Sequence, residues 1–356
     1  MNFKTNEMKI QFTSDYCEGA HPYILEQLLK TNMDQTVGYG VDEFCQKARN
    51  TIISRVCPDR ESDPDVHFLV GGTQANITVI SSALKPYQGV ICAASGHINV
   101  HETGALEHSG HKALALPHTN GKISAEQIDT CIAEHYADTN FEHTVQPGMV
   151  YISFPTELGT LYSADELKAI SGVCRKWDIP LFVDGARLGY GLAASDSVTL
   201  PFLASCADVF YIGGTKQGAL FGEAVVIMND KLKKDFRYNI KQNGGMLAKG
   251  RLLGIQFEAL LGTDLYESTS YHALMMAKKI RAAFAKKGCK FLVDSPTNQQ
   301  FPILPDSVLP ELEKQFGFEI WQKVDAEHTG VRFCTSWATK EENVEKLLSV
   351  VEKLEL

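Results

Sequence analysis

The chain has 356 residues, of which 44% are hydrophobic and 22% are charged, and its formal net charge is -9. This length predicts about two domains, and the composition excludes a wholly disordered chain. The acidic balance and the lack of a basic run argue against nucleic acid or an anionic membrane surface as a partner.

Apolar strands alternate with amphipathic helices through the first two thirds of the chain. In chain order we predict strand 66–70, helix 73–84, strands 90–94 and 112–116, helix 124–136, strand 149–154, helix 163–177, and strands 181–184, 209–213 and 224–228. Ser124 is a predicted N-cap, and Ser163 with Glu166 predicts a capping box. Near-continuous apolar strands between helices indicate a mainly parallel sheet that is covered on both faces.

The pattern changes after about residue 250. The predicted elements there are helices 251–261 and 270–287, short strands near 289–293 and 331–335, and a final helix over 340–354. This order predicts a second, smaller α+β unit. We therefore expect three parts: an N-terminal segment 1–50 that joins the small domain, a large domain 51–250 and a small C-terminal domain 251–356.

Three absences narrow the class of protein. The N-terminal residues 1–11 contain no long apolar run and none occurs elsewhere, so neither a signal peptide nor a transmembrane helix is expected. The nine cysteines are irregularly spaced without a CxxC pair, which favours reduced thiols and a cytoplasmic protein. The eleven histidines form no spaced metal motif, so no metal site is expected.

Polar residues follow several predicted strands, at the edge where open parallel sheets bind ligands. After strand 66–70 comes Gly71-Gly72-Thr73, directly before a helix. Glycine lets the backbone approach a ligand, and the free N–H groups of a helix start bind phosphate. An ordinary strand–helix turn capped by Thr73 is the simpler alternative. The motif is neither of the common glycine-rich nucleotide loops.

Asp184 and Lys216 each follow an apolar strand. A buried carboxylate needs a partner, so Asp184 pairs either with Arg187 or with the protonated ring nitrogen of a cofactor. A partly desolvated lysine loses its proton more easily and attacks carbonyl groups. The alternative for Lys216 is a surface lysine in a loop.

His97 also follows a strand, where its ring could stack on a flat cofactor and exchange protons with a substrate. A structural histidine is the alternative, and the residues alone do not separate His97 from His101. Pyridoxal 5′-phosphate demands this whole combination. Its phosphate needs N–H donors, its ring nitrogen a carboxylate and its aldehyde an amine, so we predict it as the cofactor.

With these residues in place, the chain resembles the threonine aldolase and β-eliminating lyase family of fold-type-I pyridoxal-phosphate enzymes. The resemblance runs from about residue 12 to the C-terminal helix and is most specific in FLVGGTQAN, GHINVHETG, LFVDGARLG and GGTKQGALFG. It implies an α/β, PLP-dependent transferase-like fold (fold type I), with a large domain around a mainly parallel central sheet and a smaller α+β domain. It also implies a homodimer or homotetramer with the active site at the subunit interface.

The resemblance implies a role for each residue of the cofactor site. Lys216 would form the Schiff base with the cofactor, and Asp184 would pair with its pyridine nitrogen. Gly72 and Thr73 would bind the phosphate, and His97 would stack on the ring.

Further positions gain a role only from the resemblance. Arg187 would lie near the ring hydroxyl and the substrate carboxylate, Ser14 would help to hold that carboxylate, and Arg332 would clamp it. A guanidinium fork suits a carboxylate, whereas an edge-strand surface charge is the alternative for Arg332. Tyr39 and residues 243–249 would reach the site of a neighbouring subunit.

One segment departs from the family pattern. Threonine aldolases usually carry a histidine that acts on the substrate hydroxyl within the segment matching 154–160, where this chain has none. Either Glu157 or His101 takes this role, or the substrate is not threonine.

The resemblance implies a PLP-dependent lyase with a small amino-acid substrate, which cleaves a β-hydroxy-L-amino acid to glycine and an aldehyde. β-Elimination, transamination and racemisation on the same scaffold are alternatives, as is a non-catalytic homologue of the fold. A nicotinamide-dependent oxidoreductase is a weaker alternative, because the glycine fingerprint for that cofactor is absent.

Overall fold

The computed structural model describes residues 9–59 and 63–355. Its strands are β1 (Ile10–Gln11), β2 (Asp65–Leu69), β3 (Gln88–Ala93), β4 (Ala113–Leu116), β5 (Gln146–Ser153), β6 (Leu181–Asp184), β7 (Val209–Gly213), β8 (Glu223–Ile227), β9 (Gln299–Gln300), β10 (Ile303–Pro305), β11 (Phe316–Gly317), β12 (Glu319–Lys323) and β13 (His328–Cys334). Its α-helices are α1 (Pro22–Lys30), α2 (Glu43–Val56), α3 (Gly72–Ala83), α4 (His97–Val100), α5 (Ala105–His108), α6 (Ala125–Ala137), α7 (Ala164–Lys176), α8 (Leu188–Ala194), α9 (Leu200–Cys206), α10 (Phe236–Gln242), α11 (Arg251–Leu261), α12 (Leu265–Lys286), α13 (Leu309–Glu313) and α14 (Glu341–Val351). Short 3-10 helices cover Phe141–His143, Asp230–Leu232 and Asp306–Val308.

A seven-stranded sheet in the order β2-β8-β7-β6-β5-β3-β4 forms the centre of the molecule. The pairs from β7 to β4 are parallel, whereas β8 runs antiparallel to both β2 and β7. One edge of this sheet therefore holds the carboxyl ends of six strands and the amino end of β8. The predicted α/β fold with a mainly parallel central sheet is confirmed.

Side chains of the central strands alternate between two cores, one on each face of the sheet. Val150 and Val183 belong to the first core, whereas their chain neighbours Tyr151 and Phe182 belong to the second. This alternation follows from the two-residue period of a strand, and it explains why the strands have nearly continuous apolar sequences.

A second region is built on a smaller antiparallel sheet, in which β13 lies between β10 and β12 and also pairs with β9. Its core joins Phe12 to side chains from α12, β13 and α14, among them Phe284, Phe333 and Leu347. Helix α11 instead packs in the first core of the central sheet, through Phe257 and Leu260. The proposed division at residues 50 and 250 remains a prediction.

The helix starts at Ser124 and Ser163 are confirmed. Each serine is an N-cap whose hydroxyl accepts a bond from the third helical N–H, and the side chain of that third residue accepts a bond from the serine's own N–H. Helix α12 begins five residues earlier than predicted, because burial of Tyr266 and Thr269 against the rest of the molecule outweighs the weak helix propensity of this first part.

The strand predicted over 289–293 is wrong. This segment makes a single isolated bridge, between Phe291 and Pro302. Two backbone hydrogen bonds flank this bridge, from the Leu292 N–H to the Phe301 carbonyl at 2.9 Å and from the Ile303 N–H to the Lys290 carbonyl at 2.8 Å, and the pairing extends no further among the described residues. Helices α1 and α2 were not predicted; α1 has proline in its first turn, and the Asp42 side chain caps α2. None of the helices in residues 9–59 and 63–355 is long and apolar enough to cross a membrane.

Candidate active site

A cavity of about 320 Å³ opens at the edge of the central sheet that holds the carboxyl ends of β2, β6 and β7. It brings together most of the predicted site residues: Gly72, Thr73, His97, Asp184, Arg187 and Lys216. The polar residues that follow the predicted strands are therefore neighbours in the structure, as expected for the ligand-binding edge of a parallel sheet. Ser14 and Arg332 are not among the residues that line this cavity.

The start of helix α3 faces the cavity without a side-chain cap. Gly71 is its N-cap and has no side chain, and the first helical bond runs from the Ala75 N–H to the Gly71 carbonyl. The alternative of a turn capped by Thr73 is wrong, since no side chain caps this helix. A Cβ atom at Gly72 would lie 3.2 Å from the Tyr211 hydroxyl, so glycine permits the close approach. The N–H groups of this first turn are thus available to an anion.

The carboxylate of Asp184 is buried at the end of β6 and accepts four hydrogen bonds. The Tyr151 hydroxyl donates to Oδ2 and the Tyr211 hydroxyl to Oδ1, each at 2.5 Å. The Asn76 amide donates to Oδ2 at 3.1 Å, and the Ala186 N–H donates to Oδ1 at 3.0 Å. This carboxylate is therefore fixed in place before any ligand binds.

The environment of Asp184 keeps it ionised. Burial raises its pKa, but the electrostatic interaction with His97 and the hydrogen bonds from the two tyrosine hydroxyls outweigh burial and hold the pKa below its ordinary value. A charged carboxylate at the floor of the cavity can stabilise a protonated ring nitrogen.

Arg187 pairs with Asp15 and not with Asp184, so the interpretation of Arg187 as the partner of Asp184 is wrong. Its Nε donates to Asp15 Oδ2 at 2.7 Å and its Nη2 to Oδ1 at 2.9 Å. Asn298 also donates to Asp15, at 3.0 Å. Burial raises the pKa of Asp15, but Arg187 holds it below its ordinary value. Within the described chain, Nη1 of Arg187 makes no hydrogen bond.

Lys216 lies in the loop between β7 and β8, which we call the lysine loop (residues 214–222). The backbone of this residue is fixed because the Tyr190 hydroxyl donates to the Lys216 carbonyl at 2.6 Å. The amine lies 6.0 Å from the centre of the Tyr16 ring. Burial and the guanidinium of Arg187 lower the pKa of Lys216, which favours the neutral, nucleophilic amine.

The structure separates His97 from His101, because His97 lines the cavity and His101 does not. The Nδ1 atom of His97 lies 2.7 Å from Glu102 Oε1. The same oxygen accepts a bond of 2.7 Å from Asn76, whose amide also donates to Asp184. A chain of hydrogen bonds therefore connects the His97 ring to the Asp184 carboxylate.

Glu157 occupies the cavity wall in the segment that lacks a histidine. Its Oε1 accepts a hydrogen bond of 2.7 Å from the Ser153 hydroxyl and one of 2.8 Å from the backbone N–H of His97. Burial raises the pKa of Glu157, opposed by the Ser153 hydrogen bond. A carboxyl group whose pKa is raised in this way holds its proton more firmly than an exposed one, which suits it to proton transfer.

Ser14 and Arg332 lie beside the cavity, in a region that also contacts Arg187. The Arg332 Nη2 donates to the Thr13 carbonyl at 2.9 Å, and Asp15, two residues on, binds Arg187. One short segment therefore connects both arginines, with Ser14 at its middle. Arg332 is 8% exposed and lies on β13, inside the small sheet, so the alternative of an edge-strand surface charge is wrong.

Tyr39 and residues 243–249 lie together outside the cavity. The Tyr39 N–H donates to the Ala248 carbonyl at 3.2 Å, and the Tyr39 ring is 48% exposed. Their predicted contact with a neighbouring subunit's site stays a prediction.

Sequence reasoning missed several cavity residues. Two of them are tyrosines that bind Asp184: Tyr211 lines the cavity, and Tyr151 lies beside it. Both lie within apolar strands, so the sequence pattern indicates only that they are buried. Glu223 begins β8, and this strand is antiparallel, so its first residue and not its last reaches the site. A glutamate that opens an apolar run directly after the lysine loop is the signal that would have identified it.

Comparison with known proteins identifies the family of this chain. The sequence profile of the β-eliminating lyases, "Beta-eliminating lyase", matches residues 11–305. The chain belongs to the β-eliminating lyase family. It is 31% identical to a low specificity L-threonine aldolase of Pseudomonas sp. (strain NCIMB 10558), over 95% of each chain. A relative of the same description from Pseudomonas aeruginosa is 30% identical, again over 95% of each chain.

Solved structures have the same fold. A threonine aldolase of Leishmania major superposes with a TM-score of 0.93 and 40% identity, over 98% of this chain and 100% of that chain. A putative L-allo-threonine aldolase of Listeria monocytogenes superposes with a TM-score of 0.75 and 18% identity, over 98% and 96%. The second likeness concerns the fold alone. The predicted family and the predicted fold class are both confirmed.

Proposed function

We propose that this chain binds pyridoxal 5′-phosphate in the cavity and cleaves a β-hydroxy-L-amino acid to glycine and an aldehyde. The observation that carries this proposal is a single cavity that holds the Lys216 amine, the Asp184 carboxylate and the uncapped start of α3. Relatives that cover 95% of this chain and are described as low specificity L-threonine aldolases support the reaction type.

The residues of the cavity fit this cofactor. Gly72 and Thr73 would hold the phosphate through the free N–H groups of α3. The ionised Asp184 would face the ring nitrogen, and the amine of Lys216 would attach to the aldehyde. When bound, the cofactor supplies a ring that draws electrons from the bonds of the substrate α-carbon.

The chain's own residues set the protonation states that this chemistry needs. The lowered pKa of Lys216, caused by burial and by Arg187, gives a neutral amine that can exchange with the substrate amine. The bond of His97 Nδ1 to Glu102 fixes the orientation of the ring at the cavity wall, where it would stack on the cofactor.

Glu157 would accept the proton of the substrate hydroxyl. Loss of this proton accompanies cleavage of the bond between the α- and β-carbons, so a base is needed at this point. Glu157 lines the cavity and His101 does not, which favours Glu157. Burial keeps the pKa of Glu157 raised, so it holds a proton more firmly than an exposed carboxylate and can return it later in the cycle.

The substrate carboxylate would bind where segment 13–15 meets the two arginines. Arg187 retains Nη1 for a ligand, although its other nitrogens bind Asp15. Ser14 lies beside the Thr13 carbonyl that binds Arg332. Fixing the carboxylate selects which α-carbon bond stands perpendicular to the ring and therefore breaks.

A product assay tests the proposal. The purified chain, loaded with pyridoxal 5′-phosphate, is given L-threonine, L-allo-threonine and L-serine, and the products are identified. Glycine with acetaldehyde supports aldol cleavage, whereas a keto acid with ammonia would instead establish β-elimination. Lys216→Ala is the control, since it should abolish both product formation and the absorbance band of the Schiff base between Lys216 and the cofactor. If the Lys216→Ala variant keeps the wild-type spectrum, Lys216 does not form the Schiff base.

We also propose that the chain forms a homodimer or homotetramer. Apolar side chains are concentrated on α1 and the segment after it, with Leu29 76% exposed and Met33 86% exposed. A patch of this kind marks an interaction surface. Sedimentation velocity checks the assembly: the wild-type chain should sediment as an oligomer, and Leu29→Glu combined with Met33→Glu should shift it toward the monomer. A wild-type monomer would contradict this part of the proposal.

A further inference from the structure

A buried carboxyl group that the proposed reaction does not use, Glu223, lines the same cavity as Lys216. Glu223 is 3% exposed and is the first residue of β8. Its backbone pairs with Gly213 at the end of β7 and with Leu69 at the end of β2. The antiparallel direction of β8 therefore brings a glutamate to the sheet edge where the parallel strands deliver the other site residues.

Both carboxyl oxygens of Glu223 accept hydrogen bonds from the lysine loop. The Thr215 hydroxyl donates to Oε1 at 2.9 Å, and the Gly214 N–H donates to Oε2 at 3.2 Å. The same hydroxyl accepts a bond of 3.0 Å from the Gly222 N–H, and Glu223 Oε1 is nearer to it than its other acceptor, the Gly222 carbonyl at 3.5 Å. The two residues that precede Lys216 are thus held by this one carboxyl group.

The ionisation of Glu223 depends on Lys216. Burial raises the pKa of Glu223 to about 8, opposed first by the lysine amine and then by the two loop donors. The charge of Asp184 raises the pKa of Glu223 further. The hydroxyls of Tyr211 and Tyr266 also face Glu223, and they stay neutral because burial raises their pKa values well above the ordinary one.

The ionisation of Lys216 depends in turn on Glu223. Burial and the guanidinium of Arg187 lower the pKa of Lys216, whereas the carboxylates of Asp15, Asp184 and Glu223 raise it. Asp15 and Asp184 keep fixed charges, since both have pKa values below the ordinary one. Glu223 is the member of this group whose charge changes near neutral pH.

We propose that Glu223 is a positioning residue for Lys216, which holds the lysine loop in place and, through its own ionisation, sets the protonation state of the lysine amine. In a pair of this kind, protonation of the carboxyl group favours the neutral amine, and ionisation favours the ammonium. The value of this coupling for catalysis rests on the proposed function. The coupling itself belongs to the chain and can be measured without the cofactor.

The experiment uses the full-length chain with its cofactor removed. Lys216 is acylated at a series of pH values with acetic anhydride, which attacks only neutral amines, and its labelling is quantified by mass spectrometry. Glu223→Gln keeps an oxygen for the Thr215 hydroxyl but carries no charge. We expect about tenfold more labelling of Lys216 in this variant than in the wild-type chain at a fixed pH above about 8, where Glu223 of the wild-type chain is ionised. The labelling curve of the variant should also show a single titration step, whereas the wild-type curve is broadened.

Two further variants make the result decisive. Thr215→Val deletes the hydroxyl that stabilises the carboxylate, so labelling should move to lower pH in the same direction but by less. It also keeps the test available if Glu223→Gln does not fold. Glu126→Gln is the control, since it removes one negative charge from the exposed first turn of α6 and should leave the curve unchanged. Labelling curves of Glu223→Gln and Thr215→Val that superpose on the wild-type curve would overturn the proposal, whatever the assay of catalytic products gives.

Discussion

Four carboxyl groups in and around the cavity, those of Asp15, Asp184, Glu157 and Glu223, all have buried surroundings, yet their pKa values shift in opposite directions. Burial raises the pKa of each, but Asp184 and Asp15 end below the ordinary value, whereas Glu157 and Glu223 end above it. Burial alone therefore does not decide whether a carboxyl group in this cavity is charged.

The difference lies in the partners that face each carboxyl group. Asp184 accepts four hydrogen bonds and interacts electrostatically with His97, and Asp15 binds the guanidinium fork of Arg187. Glu157 and Glu223 each accept from one hydroxyl and one backbone N–H of another residue. The aspartates therefore supply fixed charges, and the glutamates are suited to move or store protons.

The largest effect is expected for Asp184→Asn, because an amide cannot stabilise a protonated ring nitrogen by charge. Turnover should fall by about a thousandfold or more, with weaker retention of the cofactor. Steady-state rates and cofactor absorbance after dialysis check this. Asp178→Asn, at an exposed aspartate that pairs with Lys231, is the matched control. A loss of less than about tenfold would mean that the charge of Asp184 is not essential.

Asp15→Asn should destabilise the fold by about 3–5 kcal/mol, because Arg187 is left without its counter-charge. The pKa of Asp15 in the folded chain lies below its ordinary value of 3.8, so its ionised form contributes stability above pH 3.8. That contribution is lost as the pH falls through the folded pKa. Chemical denaturation of both chains at several pH values measures the difference, with Asp129→Asn on the surface as control. A gap that persisted in acid would contradict the charge-based explanation.

Glu157→Gln should lower turnover by about a hundredfold and leave the cofactor spectrum unchanged. The wild-type rate should rise with pH as Glu157, whose pKa burial raises, loses its proton and becomes a base. The pH profile of kcat/KM should lose this rising limb in the variant. His101→Gln serves as the comparison and should change little, and the reverse ranking of the two variants would assign the role to His101.

The smallest effect is expected for Tyr211→Phe, which removes one of the four donors to Asp184. The three remaining bonds keep the carboxylate ionised, so turnover should fall by less than about tenfold. Tyr162→Phe loses a buried hydroxyl that binds the Ile123 N–H, away from Asp184, and is the control. If Tyr211→Phe lowered turnover as much as Asp184→Asn, the explanation that four donors together keep Asp184 ionised would be wrong.

The sequence predicted those parts of the site that follow from strand order. Gly72, Asp184 and Lys216 each come directly after an apolar strand, and the parallel direction of those strands carries them to one edge. The pairing of Arg187 with Asp15 could not be predicted in this way, because the partners are far apart in the chain and meet only through the tertiary fold.

Elements that depend on tertiary contacts were also missed. The pattern of apolar residues does not show that β8 is antiparallel, and so Glu223 escaped notice. The segment 289–293 has the composition of a strand, but its pairing is limited to one bridge, between Phe291 and Pro302.

The hairpin formed by β7 and β8 has a consequence for engineering. Its backbone bonds close the lysine loop at both ends, with Gly213 paired to Glu223. The reactive amine and the carboxyl group that titrates with it are thus delivered by one continuous stretch of chain. Residues 213–223 form a cassette, which a designer would transplant or lengthen as a whole, since an insertion between the two groups would separate them.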